Sequence, residues 1–195
     1  FTINTYGPTG METDSPVTIT GISGEASEME RVTLTIDMLS DNANHVGDGG
    51  GLPALIDGKV NTYYHTKWNA PVTTEAHYVQ IKLNKPLKDL CFEYDARQSG
   101  VNNGGDVKAA TIYGSMNGEF FESMGNEEFN LPTTNGGHAT AKNNVSGKQA
   151  YNYIRFTPTA RRDKDPLDYT VAGSAWWNMS EIYLYRIRHD EAWAR

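Results

Sequence analysis

The residues with the most chemistry in one short span run from Ala54 to Trp68, Ala-Leu-Ile-Asp57-Gly58-Lys-Val-Asn-Thr62-Tyr-Tyr-His65-Thr-Lys-Trp68. Asp57-Gly58 is a turn signal: glycine accepts positive φ, and Asp bonds its own backbone two residues on. The turn places the Asp57 carboxylate and the Thr62 hydroxyl around one small volume. His65 and Trp68, three apart, offer a polar ring and a large apolar face. Oxygens and rings at this density suit an ion or ligand site on a loop carried by a rigid scaffold. The alternative is a turn followed by aromatic residues that serve the core.

The elements that must position this stretch are strands. Val17, Ile19 and Ile22 predict one strand, and Val32, Leu34 and Ile36 a second. Tyr78–Leu83 alternates, with Val79, Ile81 and Leu83 inward and Gln80 and Lys82 outward. Asn84-Lys-Pro86 predicts a turn, followed by Leu90, Phe92 and Tyr94 at period two. Ala110–Ser115 leads to Asn117-Gly118, a two-residue hairpin signal. Residues 130–149 read as a long polar loop, Tyr151–Phe156 as a strand, and Ser180–Ile187 as the closing strand. Long helical periodicity is absent. About eight such strands predict an all-β fold of two packed antiparallel sheets. Residues 1–29 read as an N-terminal extension or the remnant of a preceding domain, 30–188 as the sandwich, and 189–195 as a tail.

With 17 basic and 24 acidic residues the net charge is −7, which argues against binding a phosphate backbone. No apolar run approaches the roughly 20 residues that span a bilayer. Cys91 is the only cysteine; no internal disulfide framework is available, and its apolar flanks predict a buried thiol. Glu127-Glu128 and the Asp163/Asp165 pair read as solvated loop carboxylates, unsuited to acid catalysis. No metalloprotease or serine-hydrolase motif is present, so a non-catalytic chain is expected.

The order of motifs resembles the discoidin, or coagulation factor 5/8 type C, family, and within bacterial proteins carbohydrate-binding module family 32. The matching pieces are Ala54–Trp68, Tyr78–Leu83, Tyr94–Gln98, Ala110–Gly118, Tyr153–Phe156 and Met179–Tyr185, together covering about residues 30–187. The resemblance implies a jelly-roll-like β-sandwich of the galactose-binding type. It also implies a structural calcium ion, held by the carbonyls of Ala54, Lys59 and Ser180 and the side chains of Asp57, Thr62 and Glu181. Lys59 departs from the family's usual Asn or Asp, so only its carbonyl serves. Tyr64 stands where the family usually has Trp, and the vertebrate members' terminal disulfide has no counterpart.

For ligand binding the resemblance points to His65, Trp68 and Arg97, with Asp48, Asn102 and Asn103 on neighbouring loops and Trp176 and Trp177 as an added platform. The implied partner is a glycan, of galactose or N-acetylhexosamine type. The expected setting is extracellular, periplasmic or cell-surface, and the expected state is a monomer that neither binds nucleic acid nor inserts in a membrane. The competing expectation is an adhesion domain that binds protein or lipid.

Overall fold

A computed structural model describes residues 27–69 and 75–189. Within it Glu28–Arg188 form one compact unit. The strand expected through Val17, Ile19 and Ile22 lies outside the described residues, as do the last six residues of the chain.

The unit is an antiparallel β-sandwich of ten strands. They are β1 (Ser27–Arg31), β2 (Leu39–Asp41), β3 (Tyr64–His65), β4 (Val79–Asp95), β5 (Val107–Ser115), β6 (Glu122–Asn130), β7 (His138–Ala141), β8 (Val145–Arg161), β9 (Asn178–Met179) and β10 (Glu181–His189). The main sheet runs β1-β10-β4-β7-β6-β5-β8; β2 also pairs with β4, and β8 returns to β4. β3 and β9 form a separate two-stranded ribbon.

Two long strands join the layers. The first part of β4 pairs with β2 and β8, and its last part with β10 and β7. The Val79, Ile81 and Leu83 alternation is as the sequence predicts, all three buried with Lys82 exposed. The predicted turn at Asn84-Lys-Pro86 is not one. The strand continues, and the register slips between Lys82 and Leu87. Proline has no N–H to give the ladder, so it is tolerated at such an irregularity. The polar stretch 130–149 likewise carries β7 and the start of β8, because Ala139 and Val145 are buried and supply the inward positions.

The strand expected through Val32, Leu34 and Ile36 is replaced. β1 precedes it, Ile36–Met38 is a short 3-10 turn, and Ile36 is exposed. The Asn117-Gly118 hairpin is wider than two residues: the last β5–β6 pair is Gly114 with Glu122. Ser115 Oγ accepts the Gly118 amide, and the Asn117 carboxamide oxygen accepts the amides of Glu119 and Phe120.

The core is aromatic. Trp177, Tyr64, Tyr94, Phe92, Phe129 and Phe156 are all fully buried. Trp177 meets Tyr64 at 5.4 Å and Phe156 at 6.2 Å between ring centroids, the tilted and edge-on geometries that aromatic quadrupoles favour. Tyr94 satisfies its hydroxyl by donating to the Val107 carbonyl at 2.7 Å. Tyr64 is a core ring.

Candidate functional site

Three segments lie side by side at one end of the chain's β3–β9 ribbon. His45 N–H donates to the His65 carbonyl, Gly50 N–H to the Tyr63 carbonyl and Lys67 N–H to the Ala43 carbonyl, fixing the 43–50 loop along β3. On the other side Thr66 N–H donates to the Trp177 carbonyl, while Trp177 N–H donates to Thr66 Oγ1. The close packing demands glycine at 49: its φ is +89°, and an added Cβ would lie 2.5 Å from the Tyr63 carbonyl oxygen. Trp177, sealed in the core, anchors this set of loops.

Asp48 is the centre of the displayed groups. Its Oδ1 accepts the Tyr63 hydroxyl at 2.7 Å, and its Oδ2 accepts the Trp68 indole N–H at 2.8 Å. The Tyr63 bond, helped by the Trp68 indole and the nearby Arg97 charge, holds the Asp48 carboxyl below its ordinary value against the cost of burial. Trp68 is 47% exposed. The His45 ring stacks on it at 4.9 Å and 7° between planes. The Arg97 guanidinium lies 3.6 Å from the centre of the Tyr63 ring, a cation–π contact that orients both.

His65 is nearly covered, at 5% exposure. Its ring stacks on Trp176 at 5.3 Å, and Nδ1 lies 2.6 Å from the Thr66 carbonyl oxygen. A carbonyl can only accept, so Nδ1 carries the proton and Nε2 is the acceptor. Burial lowers the His65 pKa and keeps the ring neutral. Asn178, paired with His65 across the ribbon, accepts from the Asn103 carboxamide at 2.8 Å. Asn103 also accepts the Gly105 amide, so it braces the loop. Asn102, exposed, takes the left-handed conformation with φ 59°.

The structure thus gathers Asp48, His65, Trp68 and Arg97, with Asn103 next to them through Asn178. It corrects the two-tryptophan platform. Trp177 is a core ring with no exposure. Trp176 has His65 stacked on it and the Arg161 guanidinium 3.9 Å from its ring centre, so its surface is in use. Sequence reasoning passed over His45 and Tyr63 as members of the site. Tyr63 stood in the same aromatic run, but only the fold shows that Tyr64 turns inward while Tyr63 reaches Asp48.

The Asp57 turn is a second centre. Gly58 has φ +75°. Asp57 accepts the Lys59 amide at 2.9 Å and the Thr62 hydroxyl at 2.7 Å. Glu181 Oε1 accepts the Gly58 and Lys59 amides at 2.7 and 3.0 Å, and Ser180 Oγ donates to the Val60 carbonyl at 2.9 Å. An early loop is therefore tied to the start of β10. Burial first, then the adjacent Asp57, pushes the Glu181 carboxyl up to about 7. Ala54 sits in the 3-10 turn Leu52–Ile56 that leads into this loop. Among the described residues no three His, Cys, Asp or Glu side chains converge as a metal-binding group. Two carboxylates with backbone carbonyls nonetheless fit a hard cation such as calcium, which takes carbonyls as readily as carboxylates.

The other carboxylates bear on catalysis. Glu127 is not a solvated loop residue: it is wholly buried in β6, accepts the Phe92 amide at 2.7 Å, and is pushed up to about 9 by burial. Its neighbour Glu128 faces solvent, so the two do not share a site. Asp163 pairs with Arg161 and Asp165 with Lys108. Cys91 is buried, and burial pushes its thiol up to about 12.

Comparison with known proteins places the chain. The F5/8 type C domain family matches residues 40–181, and the chain belongs to that family. No curated protein sequence matches. Among solved structures it is similar to the C-terminal domain of a chitobiase from Bacteroides fragilis, at 18% identity and TM-score 0.53, covering 82% of this chain and 100% of that one. It is also similar to a CBM32 domain of a family 31 glycoside hydrolase from Clostridium perfringens, at 19% identity and TM-score 0.50, covering 77% and 92%. A third is the pair of CBM32 domains of Clostridium perfringens ZmpB in complex with GalNAc, at 15% identity and TM-score 0.52, covering 82% of this chain and 39% of that one. At these identities the likeness establishes the β-sandwich fold.

Proposed function

We propose that the chain is a non-catalytic glycan-binding module that holds an attached enzyme or surface protein against a carbohydrate outside the cell. The observation that carries the reading is the half-exposed Trp68 ring, fixed by Asp48 and backed by His45. A fixed aromatic face suits the apolar C–H side of a pyranose. Around it Arg97 supplies donors, Asp48 acceptors and His65 Nε2 one further acceptor, which match hydroxyl groups that both give and take hydrogen bonds. Galactose or an N-acetylhexosamine is the sugar proposed, in keeping with the GalNAc in the ZmpB structure. Calcium at the Asp57–Glu181 turn would be structural, clamping the loop to β10 through Asp57, Thr62 and Glu181 with carbonyls of Ala54, Lys59 and Ser180. A glycan array, run with and without calcium, tests the reading: galactose-type or N-acetylhexosamine ligands should bind, and Trp68→Ala should lose them. Unchanged array signal in folded Trp68→Ala would refute it.

The adhesion reading draws on Val46 and Val101, 87% and 62% exposed on loops adjoining the site. Isolated apolar residues of this kind are ordinary on protein surfaces. Among the described residues no helix is long and apolar enough to cross a membrane. Cosedimentation with phosphatidylserine vesicles that Val46→Asp abolishes would favour adhesion instead.

A further inference from the structure

A different surface carries chemistry that the rim site does not use. On the outward face of β4, β8 and β5, Gln80, Arg155 and Tyr113 lie directly opposite one another across the strands. The opposite face at the neighbouring register is core, with Val79, Phe156 and Ile112 fully buried. An outward face of this kind is ordinarily polar. Here it bears Tyr78, Tyr113 and Phe121, all partly exposed, around a single arginine. The Arg155 guanidinium lies 4.0 Å from the Tyr78 ring centre and 3.7 Å from that of Phe121, and its Nε donates to the Gln80 carboxamide oxygen at 2.8 Å. Two rings and one hydrogen bond fix the guanidinium in place.

A concavity of about 180 Å³ opens beside it, lined by Glu75, Tyr78, Tyr113, Phe121, Arg155 and Thr157. A second concavity, of about 330 Å³, shares Phe121 with it and is lined also by Met116, Asn117, Phe120, Glu122, Gln149 and Tyr151, at the end of β5. Phe120 is 79% exposed there. Phe121 is the shared wall of both.

We propose that this face is a second glycan site, which takes a neutral oligosaccharide chain across Phe121 with one pyranose in each concavity. The first hollow, about 180 Å³, lies below the roughly 300–1,000 Å³ of drug-sized pockets and the second, about 330 Å³, at the bottom of that range, so each is sized for a short unit such as one pyranose and not for a long stretch of chain. Its polar lining both gives and takes hydrogen bonds: Arg155 only donates, and Thr157 and the tyrosine hydroxyls do either. Sugar hydroxyls need such a mixture. One positive and one negative group leave the hollow without net charge, and Glu75 together with the chain's −7 disfavours an acidic sugar. Tyr113 and Phe121 provide ring faces on which pyranoses stack. Two adjacent hollows favour an extended chain over a terminal sugar. The proposal is independent of the rim site, and either can fail alone.

The test is amide shift mapping of the intact chain with neutral tetraoses of galactose, glucose and N-acetylglucosamine, and with the matching monosaccharides. At least one tetraose should perturb residues 113, 121 and 155 as a patch separate from residues 65–68, and bind at least tenfold more tightly than its monosaccharide there. Phe121→Ala and Arg155→Gln should each weaken that patch at least tenfold and leave the shifts at 65–68 unchanged. Perturbation at 65–68 alone, or none at the face with any tetraose, overturns the proposal whatever the variants do. So does concentration-dependent dimerisation in sedimentation that Phe121→Ala removes while the tetraoses leave the face unperturbed, since the face would then be a contact between copies of this chain.

Discussion

Asp48 holds Trp68 by the indole nitrogen, 2.8 Å from Oδ2, while its other oxygen takes the Tyr63 hydroxyl. One side chain therefore sets two rings, and through Tyr63 it also sets Arg97. Asp48→Ala should free Trp68 and leave the Tyr63 hydroxyl unpartnered. The lost orientation should cost the complex about 1–3 kcal/mol, the size of a polar contact left unmade, so the dissociation constant for the best array ligand should rise about five- to 150-fold. Calorimetric titration checks it; an unchanged constant would mean that Trp68 needs no orientation to bind.

Trp68 and Trp177 should respond oppositely to truncation. Trp177→Ala empties a core position between Tyr64 and Phe156 and should destabilise by about 3–5 kcal/mol. Trp68→Ala removes a half-exposed ring and should cost under about 1 kcal/mol while ending sugar binding. Urea unfolding of the two variants, read beside their sugar titrations, separates the framework tryptophan from the recognition tryptophan.

Calcium should raise the melting temperature. A ligand held only by the folded state at a hundred times its dissociation constant stabilises by about 2.7 kcal/mol, and each kcal/mol is about 2–4 °C for a chain of this size. A rise of about 5–10 °C is expected, absent in Asp57→Ala. A melt indifferent to both calcium and chelator would leave the turn held by its hydrogen bonds alone.

Glu127 predicts a loss of stability toward alkaline pH. Its folded value is raised from 4.5 to about 9, so between those values the folded state holds a proton that the unfolded state has released. Stability from this group is full below about 4.5 and is lost as pH rises through about 9. Glu127→Gln keeps an acceptor for the Phe92 amide and cannot ionise. The variant should match the parent near pH 4, and its advantage should widen from there and level off above pH 9. Parallel melting curves across that range would show that Glu127 does not ionise with the assigned shift.

Alternation made β4 and the closing strand legible in the sequence, because Val79, Ile81 and Leu83 face one way and Gln80 and Lys82 the other. It failed where polar residues take strand geometry. Residues 138–141 offer only alanine inward, and Pro86 looks like a stop although it sits where the ladder slips. Glu127 was misjudged because two adjacent glutamates suggest solvent. Yet Phe129 faces the core, and period two carries the same face back to 127. In the site, the residue types near Trp68 were legible, but burial was not. Trp176 and Trp177 are neighbours in sequence, and only the fold decides that one fills the core and the other lies under His65 and Arg161.

The 43–50 loop is fastened to β3 through peptide groups at His45, Gly50 and Lys67. Peptide groups are common to nearly every residue, so what fixes the loop's course is largely indifferent to what it displays. Positions 45 and 48 can therefore be exchanged on an unmoved backbone, and a change in what this rim presents lies a few substitutions away rather than in a new loop.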